Sequence, residues 1–152
     1  MKRLAGTVCV DSNVLVYAQN ADGRYFGRAN EVIQAAANGE FDAVVALQNV
    51  LEFFATITDR KRVEKPLSVT AAMEEVAKIV RGSVFRVLYP NLLTVSWWEE
   101  LTEVGKRAVG QRVYDRFLAA TMLTNGVKII ITENKRDFAG IKGLTAVSLA
   151  EL

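Results

Sequence analysis

The sequence predicts an α/β fold in three layers, with a central parallel sheet of about five strands covered by helices on both faces. Two observations carry that expectation. Short apolar runs around Val8, Val44 and Ile130, rich in β-branched residues, suit strands buried on both sides. Stretches with helical apolar spacing separate them, so successive strands pair in parallel through right-handed crossovers.

Each element has its own signal. The first strand, Thr7 to Val10, ends at Asp11-Ser12-Asn13, and a short helix starts from about Val14. A helix from about Gly27 to Asn38 stops at Asn38-Gly39, a C-cap pair. "FDAVVAL" reads as a second buried strand and "QNVLEFFATITD" as a helix. Its periodicity puts Leu47, Val50, Leu51, Phe54 and Thr58 near one face, and Asn49, Glu52 and Thr56 on another. Ser68, just behind Pro66-Leu67, is an N-cap for a helix to Val80 that Gly82 ends.

"SVFRVLY" is a third strand and "LLTVSWWEELTEVGKR", Leu92 to Arg107, a helix. A helix from about Arg112 to Leu123 closes with Asn125-Gly126. "VKIIIT" is a fourth strand and "TAVSL" a fifth, at an edge. The only prolines, Pro66 and Pro90, fall at junctions, and there is no repeat, linker or low-complexity tract. The 152 residues therefore read as one domain, 1–152, able to bury a core without staples.

Composition excludes several chemistries. With 51% apolar and 24% charged residues the chain is globular, and no apolar run approaches the roughly 20 residues that span a bilayer. The start "MKRLAGTVCV" meets an acid too early for a signal peptide, so the expected compartment is the cytoplasm. The single cysteine, Cys9, lies within the first strand as a small buried hydrophobe, and one cysteine allows no disulfide framework. Histidine is absent, which removes triads, His-rich zinc sites and paired-histidine ribonuclease chemistry. Any hydrolysis must rest on carboxylates and a hard metal ion.

Four carboxylates are candidates. In open parallel sheets, sites form beyond the carboxyl ends of the strands. Asp11 closes strand one, Glu52 sits in the helix after strand two, Asp115 opens the helix leading into strand four, and Asp137 lies just behind Thr132-Glu133-Asn134. Each also has an ordinary role open to it. Asp11 and Asp137 could be N-caps, and Asp115 could complement a helix dipole or pair with Arg112 or Arg116. Gathered at one end of one sheet, they would raise one another's pKa unless a cation lay among them. Mg2+ or Mn2+ suits such oxygen ligands. Neutralising four of the 17 acids would lift the net charge from +2 to about +6, which favours a polyanionic partner.

The stretches "VDSNVLVYA", "LQNVLEFFATITD" with "PLS" soon after, "VYDRFLAATMLTNGVKIIIT" and "TENKRDFAGIKGLTAVSL" resemble the PIN domain family, and within it the VapC-type toxins of toxin–antitoxin pairs. They occur in the family's order and cover nearly the whole chain. The resemblance implies a sheet sandwiched by helices and metal-dependent hydrolysis of RNA, in tRNA or rRNA loops. It assigns Asp11, Glu52 and Asp115 to the first three acidic positions, with Asn13 as a polar neighbour of the metal. Asn134 stands where many members have an aspartate, so the fourth role falls to Asp137, with Asn134 and Thr132 assisting.

Cations adjoin these acids. Arg112 and Arg116 flank Asp115, and Lys135 and Arg136 precede Asp137, so these four are expected to contact phosphates. The resemblance further implies a homodimer neutralised by a small VapB-like antitoxin. The pairs Trp97-Trp98, Phe53-Phe54 and Tyr25-Phe26 offer aromatic surface for such contacts or for the core. Alternatives are a PIN nuclease of RNA processing outside any toxin–antitoxin pair, an inactive PIN-like RNA-binding module, and a phosphate-binding doubly wound domain.

Overall fold

The computed structural model describes residues 4–105 and 109–152. Five strands, β1 (Thr7–Val10), β2 (Asp42–Ala46), β3 (Arg86–Leu88), β4 (Ile129–Ile131) and β5 (Thr145–Val147), form one sheet in the order β3-β2-β1-β4-β5. Every pairing is parallel. The helices are α1 (Ser12–Tyr17), α2 (Phe26–Ala37), α3 (Leu47–Ile57), α4 (Val69–Arg81), α5 (Thr94–Gly105), α6 (Arg112–Thr124) and α7 (Lys135–Phe138), and a 3-10 turn, Leu149–Glu151, closes the chain.

The sheet divides the core by strict alternation. Val8, Val10, Val45 and Ile131 face one side, where they pack with Val14, Val32, Phe53 and Ala72 from α1 to α4. Cys9, Val44, Ala46 and Ile130 face the other, against Leu118, Ala119 and Met122 of α6 and Phe138 of α7. The three expected layers and the edge position of the fifth strand are both present. Among the described residues no helix is long and apolar enough to cross a membrane.

The differences are local and have causes. The strands are shorter than the apolar runs, and at the head of β4 the reason is that an amide is used elsewhere. The Val127 N–H turns back to Met122 O at 2.9 Å and finishes α6 through Gly126, whose φ is 74°. Helix α5 starts at Thr94 rather than Leu92, because the Asn91 N–H donates to Thr94 Oγ1 and Asn91 Oδ1 accepts from the Leu93 N–H, both at 2.9 Å. Lys106 and Arg107, expected at its end, lie outside the described residues. The single turn α7 is too short to leave a periodic signal.

The face expected for α3 is corrected. Asn49, Val50, Phe53 and Ile57 are its buried residues, while Leu51 is 63% exposed. The helix is rotated so that a fully buried amide points inward, which is tolerable only because that amide is hydrogen-bonded. Its partners lie at the carboxyl end of the sheet.

Candidate active site

Asp11 stands where β1 stops. Its N–H still donates to Ile131 O at 3.1 Å, so the neighbouring strand pins the backbone, while its side chain accepts from Ser12 N at 2.7 Å and caps α1. The carboxylate is only 6% exposed, and donors from three separate segments meet it. Oδ1 also accepts from Asn49 Nδ2 at 2.9 Å, and Oδ2 from Asn13 Nδ2 at 2.8 Å and Thr132 Oγ1 at 2.6 Å. Burial pushes the Asp11 carboxyl above its ordinary range, the bonds from Thr132 and Ser12 oppose that, and Glu52 adds to it. The N-cap role expected of Asp11 is thus present, in a side chain that also gathers donors from α3 and the end of β4.

Each donor is held in turn. Thr132 Oγ1 accepts from Asn13 Nδ2 and Asn134 N, both at 3.0 Å. Asn13 Oδ1 accepts from Glu133 N at 3.4 Å. Asn49 Oδ1 accepts from Ala46 N at 3.1 Å and from the buried Cys9 thiol at 3.7 Å. Of this set, Asn13, Thr132 and Asn134 are the residues the resemblance implied would support the site, and they do bond to Asp11 or to one another. Asn49 was not among them, although an amide one turn before Glu52 in an apolar run was the available signal.

Glu52 joins through Ser12. The Ser12 hydroxyl lies 3.0 Å from Glu52 Oε2 and 3.3 Å from Asp11 Oδ1, and its single proton serves the nearer acceptor. Gln48 Nε2 donates to Glu52 Oε1 at 2.8 Å and to Tyr114 O at 3.1 Å, tying α3 to α6 one residue before Asp115. Gln48 Oε1, beside this carboxylate, is buried with no donor among the described residues.

Asp115 lies in the first turn of α6, half-buried. Its carboxyl is pushed up to about 6, first by burial and then by the charges of Asp137, Asp11 and Glu52, with Arg116 pulling the other way. Asp115 is therefore within electrostatic reach of the other three acids, and Asp11 within reach of Glu52. Among the described residues none of them takes part in a salt bridge, and no three His, Cys, Asp or Glu side chains stand close enough together to hold a metal ion between them. A hard divalent ion that keeps part of its water shell fits such a set, since it needs few direct carboxylates.

The cations are less uniform. Arg112 and Arg136 are exposed, and Arg116 is half-buried beside Asp115. Lys135 instead places its ammonium 2.6 and 2.7 Å from the two carboxylate oxygens of Glu151. Of the aromatic pairs, Phe53 is in the core, Trp98 packs edge-on against Phe117, and Trp97 is 40% exposed.

An all-parallel sheet with interacting carboxylates beyond the carboxyl ends of its strands defines a doubly wound domain with an acidic site. The PIN domain family model matches residues 8–144, and the chain belongs to that family. Solved structures share its fold. VapBC from Salmonella typhimurium bound to DNA is 17% identical with a TM-score of 0.66, covering 94% of this chain and 98% of that one. VapBC2 from Rickettsia felis, bound to a DNA fragment from its promoter, is 16% identical with a TM-score of 0.65, covering 93% and 98%. Mycobacterium tuberculosis VapC20, a toxin that cleaves the sarcin-ricin loop, is 19% identical with a TM-score of 0.63, covering 90% and 98%. No curated protein sequence matches the chain.

Proposed function

We propose that the chain is a metal-dependent endoribonuclease of the VapC toxin type, acting on structured RNA such as tRNA or rRNA and restrained by a VapB-like antitoxin. The observation that carries this reading is the placing of Asp115, raised first by burial and then by the charges of Asp137, Asp11 and Glu52, with no salt-bridge partner among the described residues. Acids that repel without a salt-bridge partner favour a divalent cation and, through it, a phosphate. The fold neighbours support the toxin reading, being VapBC assemblies, a toxin–antitoxin complex from Klebsiella pneumoniae and a toxin that cleaves the sarcin-ricin loop.

Asp11, Glu52, Asp115 and Asp137 would hold Mg2+ or Mn2+. Such an ion supplies charge neutralisation at the scissile phosphate and acidifies water near neutral pH. The remaining chemistry belongs to the chain. Thr132, Asn13 and Asn49 keep Asp11 in one orientation. Ser12 and Gln48 orient Glu52. Asp115, pushed up to about 6 by burial and the neighbouring acids, would be held in its ionised form by a bound cation. Arg112, Arg116 and Arg136 draw the RNA backbone past an otherwise repulsive acidic end. A cytoplasmic homodimer as the working form completes the proposal.

The test is cleavage of tRNA and ribosomal RNA with Mg2+ or Mn2+ against EDTA, repeated for Asp11→Asn and Asp115→Asn. Metal-dependent cleavage lost in both variants is the expected result. Activity that survives chelation, or that both variants retain, would refute the assignment.

A further inference from the structure

A second cleft opens at the far end of α1. Tyr17, the last residue of that helix, and Tyr25, at the start of α2, lie ring against ring with centroids 4.8 Å apart and planes tilted by 34°. The Arg24 guanidinium sits over the Tyr25 ring, 4.3 Å from its centroid, and donates to the Tyr25 hydroxyl. With Asn20, Gly23 and Phe26 these groups line a cavity of about 250 Å3. Asn20 is held close because the turn has no side chain at Gly23, where a Cβ would meet Asn20 Nδ2 at 2.9 Å. Both rings are half-buried and Arg24 is exposed.

The cleft adjoins the acids. Tyr17 follows Asn13 by one helical turn on the same face of α1, and Asn13 touches Asp11, Thr132 and the Glu133 amide. The rise from Asp11 to Tyr17 along the helix is about 9 Å. Burial raises the Tyr17 phenol first, then Glu133 and Tyr25, while Arg24 opposes them and Asp11 adds least.

We propose that the cleft is a base-stacking subsite, taking one unpaired nucleobase of the RNA beside the acidic site, with Arg24 serving the adjoining phosphate. The inference rests on the reading of the chain as an RNA nuclease. An acidic site repels a polyanion, so affinity must come from neutral π-faces and cations next to it. Tyrosine rings and guanidinium planes both stack bases, whatever the base. The volume is below the roughly 300 to 1,000 Å3 of pockets for drug-sized ligands, and suits one planar ring system. The Asn20 amide stands in the wall as a partner for the edge of that ring.

The test uses short unstructured oligoribonucleotides carrying a fluorescent purine analogue at successive positions, titrated in EDTA so that binding is read without cleavage. Quenching at one position is expected. Tyr25→Ala should remove it and weaken binding about tenfold or more, the order that one stacked base supplies, while Tyr25→Phe keeps both. Arg24→Ala, at an exposed position, should weaken binding and lower the salt slope by about one. No quenching in the wild type, or unchanged binding in a folded Tyr25→Ala and in Arg24→Ala, overturns the subsite. If Tyr25→Ala does not fold by circular dichroism, the quench map and Arg24→Ala decide alone. Quenched binding without metal-dependent cleavage would sink the nuclease reading and leave the subsite standing; metal-dependent cleavage without quenching would do the reverse.

Discussion

The hydroxyl of Thr132 lies 2.6 Å from Asp11 Oδ2, although 121 residues separate the two in the chain. Both close adjacent strands, β4 and β1, whose register pairs Ile131 with Val10. Parallel pairing thus delivers a donor to a carboxylate that has almost no water. Thr132→Val should cost about 1 to 3 kcal/mol, because Asp11 loses a strong bond and the amides of Asn13 and Asn134 lose their acceptor. Urea unfolding measures it, and Thr132→Ser should recover most of the loss.

Asn49 tests whether the buried amide is set against charge. Asn49→Asp would place a second carboxylate where Nδ2 now lies 2.9 Å from Asp11 Oδ1. The variant should melt several degrees lower at neutral pH. Acidification should return part of the deficit by protonating one acid of the new pair. A Tm equal to wild type at neutral pH would contradict the hydrogen-bonded arrangement.

Asp115 sets a pH dependence in the metal-free protein. Its folded pKa, about 6, stands above the ordinary 3.8, so the native state binds the proton more tightly than the unfolded chain. This group's contribution to stability is therefore greatest at low pH and declines as pH rises from 3.8 to about 6. Asp115→Asn should flatten that decline in EDTA. Millimolar Mg2+ or Mn2+ should raise the wild-type Tm above pH 6 and have much less effect on the variant, as calorimetry with and without chelator would show.

Lys135 and Arg112 should separate in RNA binding. The Lys135 ammonium is engaged by Glu151, whose carboxyl is held down to about 2 by that bond and by Ser148, whereas Arg112 is exposed. Arg112→Ala and Arg136→Ala should each reduce the salt slope of binding by about one. Lys135→Ala should change it less, and a larger change there would mean that the lysine leaves Glu151 for phosphate.

Cys9 should be inert. It is completely buried, and burial, with the charge of Asp11, pushes its thiol far up. Thiol reagents should label it only after denaturant is added.

The alternation of strands and helices was legible because each element leaves a local mark, a cap or a change of period, whereas single acids such as Asp11, Glu52 and Asp115 each also fitted an ordinary structural role and were given site roles through the resemblance to a family. Helix ends and strand lengths were less legible. They depend on where single amides go, as with Val127 turning back to Met122 and Asn91 pairing with Thr94.

The sequence by itself determined the class of fold and, through the missing histidine, that any hydrolysis would rest on carboxylates. Tertiary structure alone decided that Asn49 rather than Leu51 faces inward, that Lys135 is paired, and that Tyr17, Tyr25 and Arg24 share a cleft. The reason is physical. Periodicity reports which residues avoid water, but a buried polar group is placed by its partner, and that partner is brought in by strand register across more than a hundred residues.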